Sequence, residues 1–559
     1  MFWIAMLIGA VSLPSTWCMF RANPQRTGRI GGTGNITNGA AWTTDTVRIG
    51  NGWGAVIGSA LLYDYSGDGR LDVTITQDNT PGYDSCVYIY RINPGGPAQK
   101  LTSRRDKYDI RAGGALMDIN GDGRPEIFVA SYQRGFIECI NGANGNQLWR
   151  TSVSGTRRFY EEHSILALPY PSDSGRIAAI DERGVMYILN ATSGALVAKD
   201  SLPNISRSYG APAAGDVTGD GIPEILFPVY GRLSGIVVVN PVNGAVIAKD
   251  SIGYYCDTYT PGLDNFDADL ALEVVVFYRR ETSPYPSQVS LRNWTGSGFS
   301  GVWTYDGSAW GGNPGSFIRQ YSATGIGDLN RDGRPDVVYV WADTLVIAIN
   351  GMTGSLMWQD KIRRIGDRFR APPSLADIDG DSYLEIVITG GNCLGEGMAY
   401  FWEHDVQNGK RLKGIWDVID AQSTAELCFD IEASFGDTDS DGRLEVVSIT
   451  PDPNLMVIDA AASWQREPSC GDPLYEDIEE QEGATGGPRL WFSGRKLFSE
   501  SGYPVHAEIK LYDPAGRLIK TLFSGTLAGE KEFMVPERGV IFAVLGYPGG
   551  TRVAKGIVE

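Results

Sequence analysis

An acidic nine-residue loop, repeated along the chain at near-constant spacing, constrains this fold more than any other feature of the sequence. It reads DYSGDGRLD from Asp64, DINGDGRPE from Asp118, DVTGDGIPE from Asp216, DLNRDGRPD from Asp328, DIDGDSYLE from Asp377 and DTDSDGRLE from Asp437. A worn copy, NFDADLALE, starts at Asn265. The usual step is about 50 residues, and self-similarity at such a period marks an array of equivalent supersecondary units. The interval between Asp118 and Asp216 is double this step. Its middle, from Tyr170, keeps the flanking apolar runs (RIAAI, MYILN) without the acids. The chain therefore predicts eight units, seven of them acidic.

Within each unit a small-residue apolar stretch such as GGALMD enters the loop. A β-branched run such as EIFVA or EVVVF leaves it, and further short strands follow across Asn/Gly turns. Four-to-eight-residue strands separated by turn residues are strand signals, and four per unit suit a propeller blade. The 71 glycines, 29 prolines and 26 tyrosines agree with an all-β chain. The predicted fold is an all-β propeller, of eight blades first and seven as the alternative, with a stacked solenoid as competitor. Residues 41–49, AWTTDTVRI, precede the first unit and are expected to supply the outer strand that the last unit lacks, which removes an open edge.

Four segments follow from composition. Residues 1–15 hold the apolar run FWIAMLIGAVSL, too short to span a bilayer but suited to a signal peptide. Residues 16–465 hold the propeller. Residues 466–489 are acidic, Gly- and Pro-rich and read as a linker. Residues 490–559 alternate apolar and polar positions (AEIKLYD, GVIFAVL) and predict a small β-sandwich. The net charge of −19 argues against nucleic acid or an anionic membrane as partner. Seven scattered cysteines include no C-x-x-C pair and assign no disulfide.

The acids at loop positions 1, 3, 5 and 9 can converge hard oxygen ligands on one ion, which selects Ca²⁺ over softer metals. The candidate ligands are Asp64, Ser66, Asp68 and Asp72; Asp118, Asn120, Asp122 and Glu126; Asp216, Thr218, Asp220 and Glu224. They continue with Asn265, Asp267, Asp269 and Glu273; Asp328, Asn330, Asp332 and Asp336. The last two sets are Asp377, Asp379, Asp381 and Glu385; Asp437, Asp439, Asp441 and Glu445. Up to seven Ca²⁺ ions are expected. An EF-hand is excluded, because the closing acid falls at position 9 rather than 12 and a strand follows at once. Sites closed by three or four carboxylates serve folding rather than catalysis.

The loops and their strands resemble the FG-GAP/VCBS repeat family, the calcium blades also found in the integrin α-subunit head, over about residues 50–460. That resemblance implies metal loops at one face of a propeller and ligand contacts at the other. WCMFRANPQRTG at 17–28 and TGSLMW at 353–358 are similar to quinoprotein-like propellers, with Trp149 and Trp358 in the matching outer-strand position. IKLYDPAGRLIKTLFSGTLAGEKEF and GVIFAVLGYPGGTRVAKGIVE resemble the C-terminal sorting domain of type IX secretion cargo. This second resemblance implies an extracellular or cell-surface location and a partnership with an outer-membrane export machinery.

With the units aligned on loop position 1, seven residues upstream stand Arg111, His163 (in the acid-free unit), Tyr209, Tyr321, Arg370 and Asp430, with Tyr259 one step out of register. In a propeller they would ring one channel mouth. Two readings stay open: a solvated polar rim, or a funnel for an anionic ligand. The function expected first is a binding or adhesion module for an extracellular glycan or protein. The alternative is a polysaccharide lyase, with His163, Tyr209 and Tyr321 as candidate catalytic groups. No nucleophile-elbow, phosphate-loop or zinc-protease motif is present, which favours the non-enzyme reading.

Overall fold

The computed structural model describes residues 18–459 and 489–558 apart from short stretches, the longest being 49–58, 307–322 and 420–431. The expected signal peptide and nearly all of the linker lie outside the described residues. Two compact units divide the chain, Met1–Gln465 and Arg466–Glu559. Among the described residues every regular element is a strand, and no helix is long and apolar enough to cross a membrane.

The first unit is a β-propeller. Among its described residues the strands group into eight antiparallel sheets. Each acidic loop joins a short first strand to a longer second one, as Leu61–Tyr63 joins Asp72–Gln77 in the first sheet. The acid-free interval supplies the third sheet, Leu166–Leu168 through Leu196–Asp200, so strand pairing there needs no carboxylate loop. Burial follows position in the sheet. The second strands Glu126–Ala130 and Arg176–Ile180 are buried at every residue, whereas the outer strand Gln147–Ser152 is half-buried to exposed.

Tryptophans on outer strands tie neighbouring sheets together. Trp149 Nε1 donates to the Ala191 carbonyl at 2.8 Å, and Trp303 Nε1 donates to the Gly351 carbonyl at 2.6 Å. Trp358 Nε1 meets His404 Nδ1 at 3.1 Å. Trp303 thus joins the two tryptophans that the sequence singled out. Each of the first two rings lies under a turn glycine. A Cβ on Gly194 would stand 2.5 Å from Trp149, and one on Gly354 would stand 2.6 Å from Trp303.

The sheets close on themselves. Thr43–Arg48 pairs antiparallel with Asn454–Asp459, from Thr43 opposite Asp459 to Arg48 opposite Asn454, and completes the eighth sheet. The first and eighth sheets are then joined by Ser434 Oγ donating to the Ala60 carbonyl and Ser59 Oγ to Glu432 Oε1, at 2.7 and 2.6 Å. A solenoid would leave these ends apart.

The segment Cys18–Ile36 has no counterpart in the repeat pattern. Its carbonyls accept backbone N–H groups from one innermost strand after another. Cys18 takes Leu116, Pro24 takes Ala214, Gln25 takes Leu263, Thr27 takes Ile326 and Gly28 takes Leu375, at 2.8–2.9 Å. Arg29–Thr33 pairs parallel with Ser374–Asp377, and Thr33 O then accepts from Leu444 N. So short a stretch reaches the inner strands of this many sheets only from inside the ring. Ala22, Ile30 and Ile36 pack into one apolar cluster with Leu62, Val73, Val387 and Val446. The chain's own N-terminal segment therefore lines the axis that the sequence left as an open channel.

Arg26 anchors this segment. It is wholly buried, with Nε donating to the Pro212 carbonyl at 2.9 Å and Nη2 to the Ile165 carbonyl at 3.0 Å. Arg29 pairs with Asp264 at 2.8 Å.

In the second unit five strands, Arg489–Ser493 to Gly550–Val558, share one continuous hydrogen-bonded sheet built on the 17-residue Lys496–Tyr512. The pairing does not divide into the two separate sheets expected of a sandwich, because this one long strand serves both halves. Its first half pairs with Arg489–Ser493, and its second half pairs with Gly539–Tyr547.

Arg26→Met removes both guanidinium donors and leaves the Pro212 and Ile165 carbonyls facing an apolar side chain. Hydrogen bonds from a charged group are worth about 1.5–3 kcal/mol each. The expected outcome is a loss of about 3–6 kcal/mol in a urea unfolding titration of residues 18–465. An unchanged midpoint would show that the axial segment does not hold the ring.

Candidate metal loops

All seven acidic loops lie among the described residues, save Ala268 and Leu270 in the fifth sheet. Six of them wrap around their first aspartate in the same way. In the first loop Asp64 Oδ1 accepts from Gly67 N at 2.6 Å, and Oδ2 accepts from Gly69 N at 2.8 Å. The same two donors, at positions 4 and 6, serve Asp118, Asp216, Asp377 and Asp437. Asp328 instead takes the N–H groups of positions 5 and 6. The wrap demands a left-handed backbone at positions 4 and 6, with Gly67 at φ 73° and Gly69 at φ 89°. Glycine marks both positions in the sequence, as at Gly67, Gly121, Gly219 and Gly380 for the fourth. Ser382 holds the sixth position of the Asp377 loop at φ 75°, a conformation that disfavours any Cβ.

The ninth residue acts at the other end. Its carboxylate heads the second strand and accepts the N–H of position 2. This bond runs from Tyr65 to Asp72, Ile119 to Glu126, Val217 to Glu224 and Phe266 to Glu273, at 2.7–3.1 Å. Leu329 to Asp336, Ile378 to Glu385 and Thr438 to Glu445 repeat it. Asp72, Glu126, Asp336 and Glu385 are fully buried, and Glu224, Glu273 and Glu445 are buried to within 1%.

Four loops bring their carboxylates together. Ligand atoms of Asp437, Asp439, Asp441 and Glu445 lie within 4.8 Å of one another. So do those of Asp216, Asp220 and Glu224, those of Asp267, Asp269 and Glu273, and those of Asp379, Asp381, Glu385 and Glu403. Two oxygens on opposite sides of a hard cation bound at about 2.3–2.6 Å stand about 5 Å apart, so this spacing fits a shared ion. Glu273 Oε1 supports the fit, being buried without a hydrogen-bond partner. The worn loop from Asn265, the poorest match by sequence, thus keeps a converged carboxylate set. Neutral third residues turn inward: Ser66 Oγ meets Asp64 and Thr218 Oγ1 meets Glu224.

Burial, helped by the neighbouring loop acids, raises these ninth-position carboxyls against the pull of their backbone donors and, at Asp72, first of all of the Arg91 charge. Asp72 rises to about 6, and Glu224, Glu273 and Asp336 each rise to about 7. Glu126 moves the same way.

Glu403, a buried residue of Glu396–Glu403, sits directly opposite Glu385 in the sheet and was not among the sequence candidates. It lies outside the nine-residue motif, and only strand register brings it to the loop. Of the proposed channel-mouth residues, Arg111, His163, Tyr209, Tyr321, Arg370 and Asp430 lie outside the described residues. Tyr259 is corrected: it is 2% exposed and stacks on Phe277 at 5.2 Å, so its ring belongs to the core.

Residues 64–129 and 328–388 match the FG-GAP-like repeat family. The chain carries FG-GAP-like repeats. Both matched stretches span two successive acidic loops with their flanking strands, those from Asp64 and Asp118 in the first and those from Asp328 and Asp377 in the second. No curated protein matches the chain. Among solved structures the chain is similar to the quinohemoprotein alcohol dehydrogenase from Comamonas testosteroni, at 10% identity and TM-score 0.51, covering 81% of this chain and 82% of that one. BamB from Moraxella catarrhalis matches at 15% identity and TM-score 0.43, over 75% of this chain and 98% of that one. The C-terminal WD40 domain of Sif2 matches at 12% and 0.47, over 77% and 99%. The first of these likenesses concerns the fold alone.

Unfolded carboxyls titrate near about 4. A carboxyl whose folded pKa is raised leaves stability untouched below that value and erodes it as pH climbs through the folded pKa. With Glu224, Glu273 and Asp336 near 7, the metal-free protein should lose melting temperature steadily from pH 5 to pH 7.5. A bound divalent cation should abolish or reverse that slope. A flat metal-free profile in differential scanning fluorimetry would refute the electrostatic account of the loops.

Proposed function

We propose that this chain is an exported, calcium-binding β-propeller that acts as a binding or adhesion module for an extracellular glycan or protein. The observation that carries the reading is the repetition of one loop geometry, with converged carboxylates, on FG-GAP-like repeats. Calcium suits these loops better than magnesium. Their oxygens come from a flexible turn with variable third residues, and Ca²⁺ tolerates such irregular sets where Mg²⁺ demands a near-ideal octahedron. The Asp377 and Asp437 loops, with four carboxylates each, are the richest.

Several structural ions that bind only the folded ring raise its stability by mass action. The ions then serve as fasteners of a rigid scaffold, and recognition falls to the loops of the opposite face. The axial segment runs along the inner strands inside the ring, which favours a ligand held on a face over one drawn into a channel. The C-terminal unit, with its likeness to type IX sorting domains, would direct export.

An array of extracellular glycans and matrix proteins, probed with and without 2 mM-scale (about millimolar) Ca²⁺, tests the binding reading. Calcium-dependent retention of at least one ligand class is the expected result, and none on either array would remove it. Truncation after residue 480 tests the export reading. The ring should keep its melting curve, since domain boundaries in such linkers carry few contacts, while secretion from the native host should fail. Normal secretion of the truncated chain would refute the sorting role.

A further inference from the structure

In each of the seven loop-bearing sheets one residue at the end of the third strand, or just past it, stands across from the ninth loop position. The strand register makes it Arg91 in the first sheet, Asn141 in the second and Asn240 in the fourth. It is Asn293 in the fifth sheet, Asn350 in the sixth, Glu403 in the seventh and Asp459 in the eighth. One structural position thus carries a cation once, an amide four times and a carboxylate twice.

We propose that this cross-strand residue decides how each acidic loop is neutralised, and that in the first loop the Arg91 guanidinium stands in place of the calcium ion. The inference rests on the calcium reading of the other loops. Arg91 Nη2 lies 3.3 Å from Asp68 Oδ2, and Nε lies 3.6 Å from Asp72 Oδ1, so the side chain addresses the fifth and ninth loop positions together. It is 22% exposed, and Asp72 is fully buried. Calcium could enter only by displacing a tethered cation from these acids, and the freed guanidinium would then face a dication in a poorly solvated site. The third loop position offers no compensating charge, being Ser66.

The amides behave differently. Asn141 Nδ2 donates to Glu126 and Asn350 Nδ2 donates to Asp336, both at 3.3 Å, and Asn293 Nδ2 donates to Asp267 at 3.2 Å. These contacts orient loop carboxylates without cancelling their charge. At the opposite extreme, Glu403 adds a buried acid to Asp379, Asp381 and Glu385. The same position therefore excludes an ion in the first sheet and strengthens the site in the seventh.

The test compares full-length parent with Arg91→Asn, Arg91→Gln and Arg91→Lys, each saturated with CaCl₂, desalted and analysed by inductively coupled plasma mass spectrometry. Arg91→Asn installs the residue that four other sheets use, and it should bind one more calcium per chain than the parent. Arg91→Gln should do the same, which keeps the test alive if the asparagine variant fails to fold. Arg91→Lys retains the cation and should keep the parent count. An unchanged count in folded Arg91→Asn and Arg91→Gln would overturn the proposal, as would a gain in Arg91→Lys. A parent that binds no calcium would instead overturn the calcium reading itself.

Discussion

A carboxylate buried at the head of a strand is the constraint on which the rest of this molecule depends. The ninth loop residue must sit there, because its oxygen caps the N–H of position 2 and holds the loop against the sheet. Burial makes its charge expensive, and the first and fifth loop positions crowd further acids beside it. The fold thus builds sites that are electrostatically unfavourable on their own and require a cation, a proton or a positively charged side chain. The first sheet contains its own cation in Arg91. The third sheet avoids the demand by dispensing with the loop.

The ring poses a second problem of a different kind. Sheets arranged around an axis leave their innermost strands, which are only three or four residues long, with backbone groups facing inward. Water could satisfy those groups, but here a single segment of the same chain does so. Carbonyls from Cys18 to Thr33 take up N–H groups around the ring, and the Arg26 guanidinium takes up carbonyls. This segment and the strand Thr43–Arg48 bind the start of the unit to sheets at its end. Closure therefore relies on contacts spanning more than 300 residues of sequence, and the ring cannot be complete until both ends of the unit have been made.

The two devices act on the same strands. In the seven loop-bearing sheets the first strand leads into an acidic loop at its C-terminal end, and the axial segment takes up backbone groups of several of these first strands on their inner side. The parallel pairing of Arg29–Thr33 with Ser374–Asp377 brings the axial segment to the entrance of the Asp377 loop, where Gly34 N donates to the Asp377 carbonyl at 2.7 Å. Leu444 N, in the Asp437 loop, donates to Thr33 O. The axial segment and the two most acidic loops thus share backbone hydrogen bonds, which couples ring closure to the loops' electrostatics.

Everything that depends on neighbours within a few residues was legible in the sequence. The repeat step, the acidic loop, the strand that follows it and the strands of the acid-free interval all have local causes: a wrapped aspartate, a left-handed glycine and a β-branched run. Even the closing strand at 41–49 was visible, because a unit short of one strand and a spare strand at the other end admit one solution. Tertiary structure decided the rest. Arg91 and Glu403 lie outside the motif, and only strand register sets them opposite Asp72 and Glu385. Cys18–Ile36 has no repeat signature, and its role exists only once several inner strands surround it. Tyr259 matched a polar ring in sequence spacing, yet its ring packs on Phe277 in the core, a contact made only once the strands have come together. A motif can specify how its own nine residues fold; which charge stands across from them is settled by the sheet.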